Sequence, residues 1–104
     1  MFIAIVQIPM SKRLRDVAVD AATKSAPTYT ALGAKGLLRK YYLNGQAGGG
    51  GVYLWASEAA ARAWYTPEWE KRMEAAFGAR PIVTYYENYV VVDNESGQVR
   101  IETA

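Results

Sequence analysis

Gly51-Val-Tyr-Leu-Trp-Ala-Ser-Glu-Ala-Ala-Ala-Arg-Ala-Trp-Tyr-Thr-Pro-Glu-Trp69 decides how this chain reads. A glycine-rich turn, Gly48 to Gly51, leads into it. Val52 and Leu54 alternate with Tyr53 and Trp55, the period-two pattern of a strand over Val52 to Ala56. Ser57 then stands at an N-cap ahead of Glu58-Ala-Ala-Ala61, a run of strong helix formers, and predicts a helix to about Tyr65. Thr66-Pro67 restarts the helix. Thr66 serves as N-cap, Pro67 takes the first helical position, where an absent N–H costs nothing, and Glu68 faces the positive end of the dipole. Trp69, Met73, Ala76 and Phe77 form one stripe, and Gly78 is the stop.

The flanking sequence extends the alternation of strands and helices. Phe2 to Pro9 is a β-branched apolar run, apolar on both faces. Ser11 is the expected N-cap of a first helix, with Leu14, Val17, Ala18, Ala21 and Ser25 as its inward stripe. Pro27 is expected to kink or end that helix and to open a short turn with Tyr29 and Leu32, closed by Gly33. Lys35 to Asn44 reads as a second strand, with Leu37, Arg39, Tyr41 and Leu43 on one face and Leu38, Lys40, Tyr42 and Asn44 on the other. Asn44 to Gly51 reads as a flexible hairpin connection, with Asn44 as a turn residue. It joins two strands and no Lys-Ser/Thr follows, which argues against a phosphate cradle. Arg80 to Val92 is a long fourth strand. Asp93 to Gly97 is a turn, and Val99 and Ile101 suggest a short strand folding back.

Composition narrows the chemistry. The chain has 104 residues, 51% of them hydrophobic and 21% charged, which suits one globular domain over residues 1–104. The net charge is +2, and Lys12, Arg13 and Arg15 are followed directly by Asp16 and Asp20. That mixture reads as a solvated helix face and argues against nucleic-acid binding. No apolar run approaches the roughly 20 residues of a membrane-spanning helix. The start, Met1-Phe-Ile-Ala-Ile-Val6, reads as a strand rather than a signal peptide, and the expected compartment is the cytoplasm. Cysteine and histidine are both absent. Disulfides, thiolate catalysis, Ser-His-Asp triads and the usual zinc, haem and iron ligand sets are thereby excluded, and no metal is expected. Chemistry must come from Tyr, Trp, Asn, Arg, Lys or carboxylates, or from an organic cofactor.

The expected fold class is α+β, in the order β-α-β-β-α-β of ferredoxin-like folds, with helices on one face of an antiparallel sheet. Every strand is apolar or aromatic on both faces, so the uncovered face is expected to meet a second copy in a homodimer.

Gly36-Leu-Leu-Arg-Lys40, Gly51-Val-Tyr-Leu-Trp55 and Ser57-Glu-Ala-Ala-Ala61 resemble the mono-oxygenase family of YdhR type. That family sits within the dimeric α+β-barrel superfamily, with the antibiotic-biosynthesis mono-oxygenases. The similarity runs roughly from Phe2 to Val92 and rests most on Gly-Gly-Val-Tyr-Leu-(aromatic)-x-Ser-x-x-Ala-Ala. It implies a homodimer of ferredoxin-like subunits whose sheets form a barrel. It also implies oxygenation of a small aromatic or polycyclic phenol without a cofactor. Characterised relatives place a Trp at the end of the third strand in the substrate cavity, and Trp55 holds the similar position. Haem-degrading relatives carry a His on the following helix and an Asn early in the first strand. Ala63-Trp64-Tyr65 and Gln7 stand there in this chain.

Oxygenation without metal or flavin needs a phenolate that passes one electron to O₂, with the protein holding the pair together and relaying protons. On that chemistry Trp55 and Tyr65 are the catalytic candidates. Trp64, Trp69, Arg39, Tyr41 and Tyr53 are candidates to contact substrate, an aromatic wall stacking on the ring and an Arg balancing the phenolate. The plainer readings are packing for the aromatics and an Arg39–Glu87 ion pair at a dimer interface. Two other functions fit the same residues: a dimeric holder of a small apolar ligand, or a non-oxidative lyase, isomerase or cyclase.

Overall fold

The computed structural model describes residues 1–102. The chain is α+β, with antiparallel sheets and three α-helices. In order it forms β1 (Phe2–Ile8), α1 (Arg15–Ala31), a 3₁₀ turn (Leu32–Lys35), β2 (Leu37–Gly45), β3 (Gly48–Trp55), α2 (Glu58–Trp64), α3 (Pro67–Phe77), β4 (Ile82–Glu87), β5 (Val90–Asp93) and β6 (Gln98–Ile101). Four strands make one antiparallel sheet in the order β2-β3-β1-β4, and β5 pairs with β6 in a separate hairpin.

Alternation sorts the sheet into a covered and an open face. Phe2, Ala4, Val6 and Ile8 are buried together with Tyr53, Trp55, Ala61 and Trp69, so the core lies between the helices and this face. Ile3, Ile5, Val52 and Leu54 lie on the other face, only partly buried. The two caps expected before α2 and α3 form: Ser57 accepts from the Ala60 N–H, and Thr66 accepts from the Trp69 N–H with Pro67 at the helix start.

Several local expectations are corrected. The glycine run is strand, not a flexible connection: β3 starts at Gly48, and only Gln46 and Ala47 make the turn. A β-carbon on Gly50 would stand 1.9 Å from the Val6 carbonyl oxygen, and one on Gly48 would stand 2.2 Å from that of Ile8. Both residues have φ near 123°, a region that favours glycine. The run is thus what lets β3 lie against β1. Asn44 is more than a turn residue. It pairs twice with the Arg13 backbone at 2.9 Å, accepting from N–H and donating to the carbonyl. That tie holds the segment before α1 extended, so the helix starts at Arg15 and Ser11 does not cap it. Leu14 stays 79% exposed. The inward stripe is instead Ala18, Ala21, Ala22, Ser25, Ala26 and Tyr29, nearly all small. α1 carries Pro27 in its interior and does not end there, and Gly36, not Gly33, closes the following turn in the left-handed region.

In β2 a bulge falls between Leu37 and Arg39. It moves Leu37 opposite Trp55 on the covered face, leaving Arg39 and Tyr41 on the open one. The long fourth strand is two strands: β4 ends at Glu87, Asn88 donates to the Met1 carbonyl, and β5 leaves the sheet to pair with β6. Asp93 starts the expected turn by accepting from the backbone N–H groups of Glu95 and Ser96. Arg39 and Glu87 do not pair within the chain, since they sit on the two outer strands and on opposite faces.

Gly50→Ala is expected to cost about 2 kcal/mol or more, because the strained φ and the Val6 carbonyl both resist a side chain. Gly45→Ala, with nothing within 4 Å of the added carbon, is expected to stay within about 0.5 kcal/mol. Urea unfolding of both variants measures the difference.

Candidate functional site

A cavity of about 230 Å³ lies between α1, α3 and the covered sheet face. Its existence follows from the sequence around it. The α1 stripe offers alanines and Ser25 where leucines would fill the space, and β3 contributes Gly50 to the wall. The larger groups that line it include Arg13, Tyr29, Lys40, Tyr42, Tyr53, Trp69, Met73 and Phe77.

Lys40 is the charged group of this cavity that stands among the rings. Its partner across the sheet is Tyr53. A β-carbon on Gly51 would come within 3.2 Å of the Lys40 Cε, so the bare glycine leaves the lysine its place. The Lys40 Nζ lies 3.3 Å from the centre of the Tyr29 ring, 3.8 Å from that of Tyr42 and 4.9 Å from that of Tyr53. Among the described residues no carboxylate pairs with it. Two effects act on the amine in opposite directions. The ring faces favour the ammonium ion. Burial penalises it and pulls the amine down to about 7.

The surrounding polar groups are mainly donors. The Tyr53 hydroxyl makes a long contact of 3.5 Å to that of Tyr29, and burial pushes both phenols up, so they keep their protons. The Ser25 and Tyr42 hydroxyls share a hydrogen bond of 2.7 Å. Trp69 is 2% exposed, and its indole N–H is buried without a partner. The Arg13 Nε, also at the cavity wall, is likewise buried and unpartnered. An arrangement of this kind can hold an aromatic ring that carries an oxygen acceptor, such as a phenolate or a carbonyl.

The structure separates the residues that the sequence picks out. Tyr53 and Trp69 are in the cavity wall. Trp55, 1% exposed, lies outside the cavity lining, beside Tyr53 on the covered face, and donates from Nε1 to the Tyr65 hydroxyl at 3.1 Å. Tyr65 is the hub of the aromatic core, meeting Tyr53, Trp55, Trp69 and Tyr85 edge to face at 5.0–5.9 Å. Burial pushes its phenol up as well. Trp64 packs edge to face on Tyr29 at 6.1 Å, and its indole N–H has no partner. Arg39 and Tyr41 are on the opposite side of the sheet, where Arg39 donates to the Tyr41 hydroxyl at 3.3 Å. They border an open groove of about 770 Å³ between the sheet and the β5–β6 hairpin. Sequence reasoning missed Lys40, Tyr29 and Tyr42. The available signal was the alternation that puts Lys40 and Tyr42 on one face of β2, though nothing local shows which face the helices cover.

No protein-family model matches this chain, and no match is found among curated proteins. No helix among the described residues is long and apolar enough to cross a membrane.

The lowered lysine has a consequence for stability. Between about pH 7 and about 10.4 the unfolded chain binds a proton at Lys40 that the folded chain does not. The lysine's contribution therefore rises with pH across that window, by at most about 1.4 kcal/mol per unit. Near Lys40 stand Tyr29 of α1, Tyr42 of β2, Tyr53 of β3 and, on the cavity wall, Arg13. Arg72 of α3 acts on Tyr29, and none of these groups is a carboxylate. Above about pH 10 the tyrosines oppose the gain, because they ionise first in the unfolded chain. Lys40→Met retains the tyrosines. The stability of wild type minus that of Lys40→Met is thus expected to climb from pH 7 to pH 10 in denaturant titrations.

Proposed function

We propose that this chain is a ferredoxin-like subunit of YdhR type that pairs with a second copy and oxygenates a small phenol without a cofactor. The observation that carries the reading is the Lys40 amine set among three tyrosine rings at the wall of an apolar cavity. A phenol bound there can give its proton to the amine, and the resulting ammonium balances the phenolate. The phenolate is the species that reduces O₂. A hydroquinone plus O₂ then gives a hydroxyquinone plus water, the substrate serving as reductant. The cavity volume lies below the range of about 300–1,000 Å³ usual for drug-sized ligands, which favours a single ring over a polycyclic system.

The strand order β2-β3-β1-β4, with helices on one face, supports the ferredoxin-like assignment. Exposed apolar side chains support pairing. Tyr41, Ile82 and Tyr86 are more than half exposed on the open face. The hairpin pairs Val90 with Ile101 and Val92 with Val99 in one apolar row, reaching 67% exposure at Val92 and Ile101. A second reading, a ligand holder with no turnover, draws on the Trp55–Tyr65 hydrogen bond, which occupies both polar groups inside the core.

An oxygen electrode with a panel of hydroquinones and anthrones tests the reaction. Uptake above autoxidation is expected, falling about ten-fold or more in Lys40→Met. No acceleration with any phenol overturns the oxygenase reading, and an aromatic compound that co-purifies and is recovered unchanged favours the holder. Sedimentation at micromolar concentration is expected to give a dimer, with Val92→Asp shifting it toward monomer. A wild-type monomer contradicts the pairing.

A further inference from the structure

We propose that Lys40 is a carbonyl-capturing amine, whose nitrogen condenses with a small aromatic aldehyde or ketone in the cavity under α1. The proposal rests on the cavity being a ligand site, as in the reading above, and is independent of oxygenation.

Four features of the fold converge on it. Lys40, Tyr29 and Tyr42 line the inner cavity and also a cleft of about 400 Å³ at the β2 edge, so the lysine stands between the protein interior and an outer approach. Among the described residues no carboxylate holds the nitrogen, and no hydrogen bond occupies it. Its neighbours are aromatic faces, which seat a flat ring. The unpartnered Trp69 N–H and the Tyr29 hydroxyl, which accepts from Tyr53 and keeps its own proton, are donors suited to a carbonyl oxygen. Burial adds to this by keeping a large share of the amine uncharged near neutral pH, the form that attacks carbon.

In the reaction the nitrogen lone pair attacks the carbonyl carbon, and the C=O pair moves to oxygen. A proton passes from nitrogen to that oxygen to give a carbinolamine. Loss of the hydroxyl with a second proton releases one water and leaves the C=N bond. Cyanoborohydride delivers hydride to that carbon and fixes the product as a secondary amine.

Salicylaldehyde with cyanoborohydride, followed by peptide mapping of the intact folded chain, tests this. Lys12, Lys24, Lys35 and Lys71 are internal controls, as is the Met1 amine, which is paired with Glu102. At pH 7.5 Lys40 is expected to be labelled at least about ten-fold faster than any of the four other lysines. Its rate is expected to level off above about pH 7, while theirs keep rising toward about pH 10. Lys40→Arg, which keeps a long polar stem but removes the nucleophilic amine, is expected to lose the adduct and retain the wild-type circular dichroism. Should that variant unfold, the wild-type map decides alone. Label spread over the control lysines with no preference for Lys40 overturns the proposal. A Lys40 adduct without oxygen uptake leaves it standing and removes the oxygenase reading. Oxygen uptake without the adduct does the reverse.

Discussion

The first half of β3 has no side chains, and the rest of the molecule is arranged around that fact. Gly48 and Gly50 let the strand lie against the carbonyls of β1, where any β-carbon would collide. Gly51 leaves the Lys40 stem its place on the covered face, and Gly50 leaves the cavity wall bare. Above this strip α1 presents alanines, so neither layer fills the gap between them. Three tyrosines and a lysine do so in part, and the remainder stays open. The space lies beside the unpartnered Trp69 and Arg13 nitrogens, and it is what the proposed ligand would occupy.

Lys40 concentrates the chemistry. Each ring face is worth about 0.5–2 kcal/mol to an ammonium ion. Removing the same ion from water acts the other way, and no carboxylate compensates among the described residues. The amine therefore sits near its switching point at neutral pH. Such a group can take a proton from a phenol or attack a carbonyl, and both roles need the same desolvated, uncharged nitrogen. The tyrosines around it shift the opposite way, since burial also resists phenolate formation. Acid and base in this cavity are thus held apart by one physical cause acting on groups of opposite charge type.

The α+β character and the helices around Trp55 to Gly78 were legible in the sequence, because capping residues and period-two alternation are local signals. What escaped depends on partners distant in sequence. The Leu37–Arg39 bulge exchanges faces within β2, yet no residue there announces it. Gly48 to Gly51 look like a loop until the β1 carbonyls beside them are known. Ser11 is a good cap in isolation, but Asn44 holds the preceding backbone elsewhere. The site divides along the same line. Tyr53 and Trp69 could be found from alternation and helical spacing, and they reach the cavity. Lys40 shares a face with Tyr42 by alternation, but its place among the rings relies on the glycines and the alanine face of α1 together. Trp55, conspicuous by motif, is bonded to Tyr65 outside the cavity lining.

The state of the Lys40 amine is the point on which the site stands. It can be followed directly by NMR of chain labelled at the lysine ε-carbon, with Lys40→Arg assigning the signal. Titration from pH 5 to pH 11 is predicted to show one lysine changing at about 7, apart from the other four. Five coincident transitions near the ordinary value of about 10.4 would contradict it and leave the cavity without its reactive group.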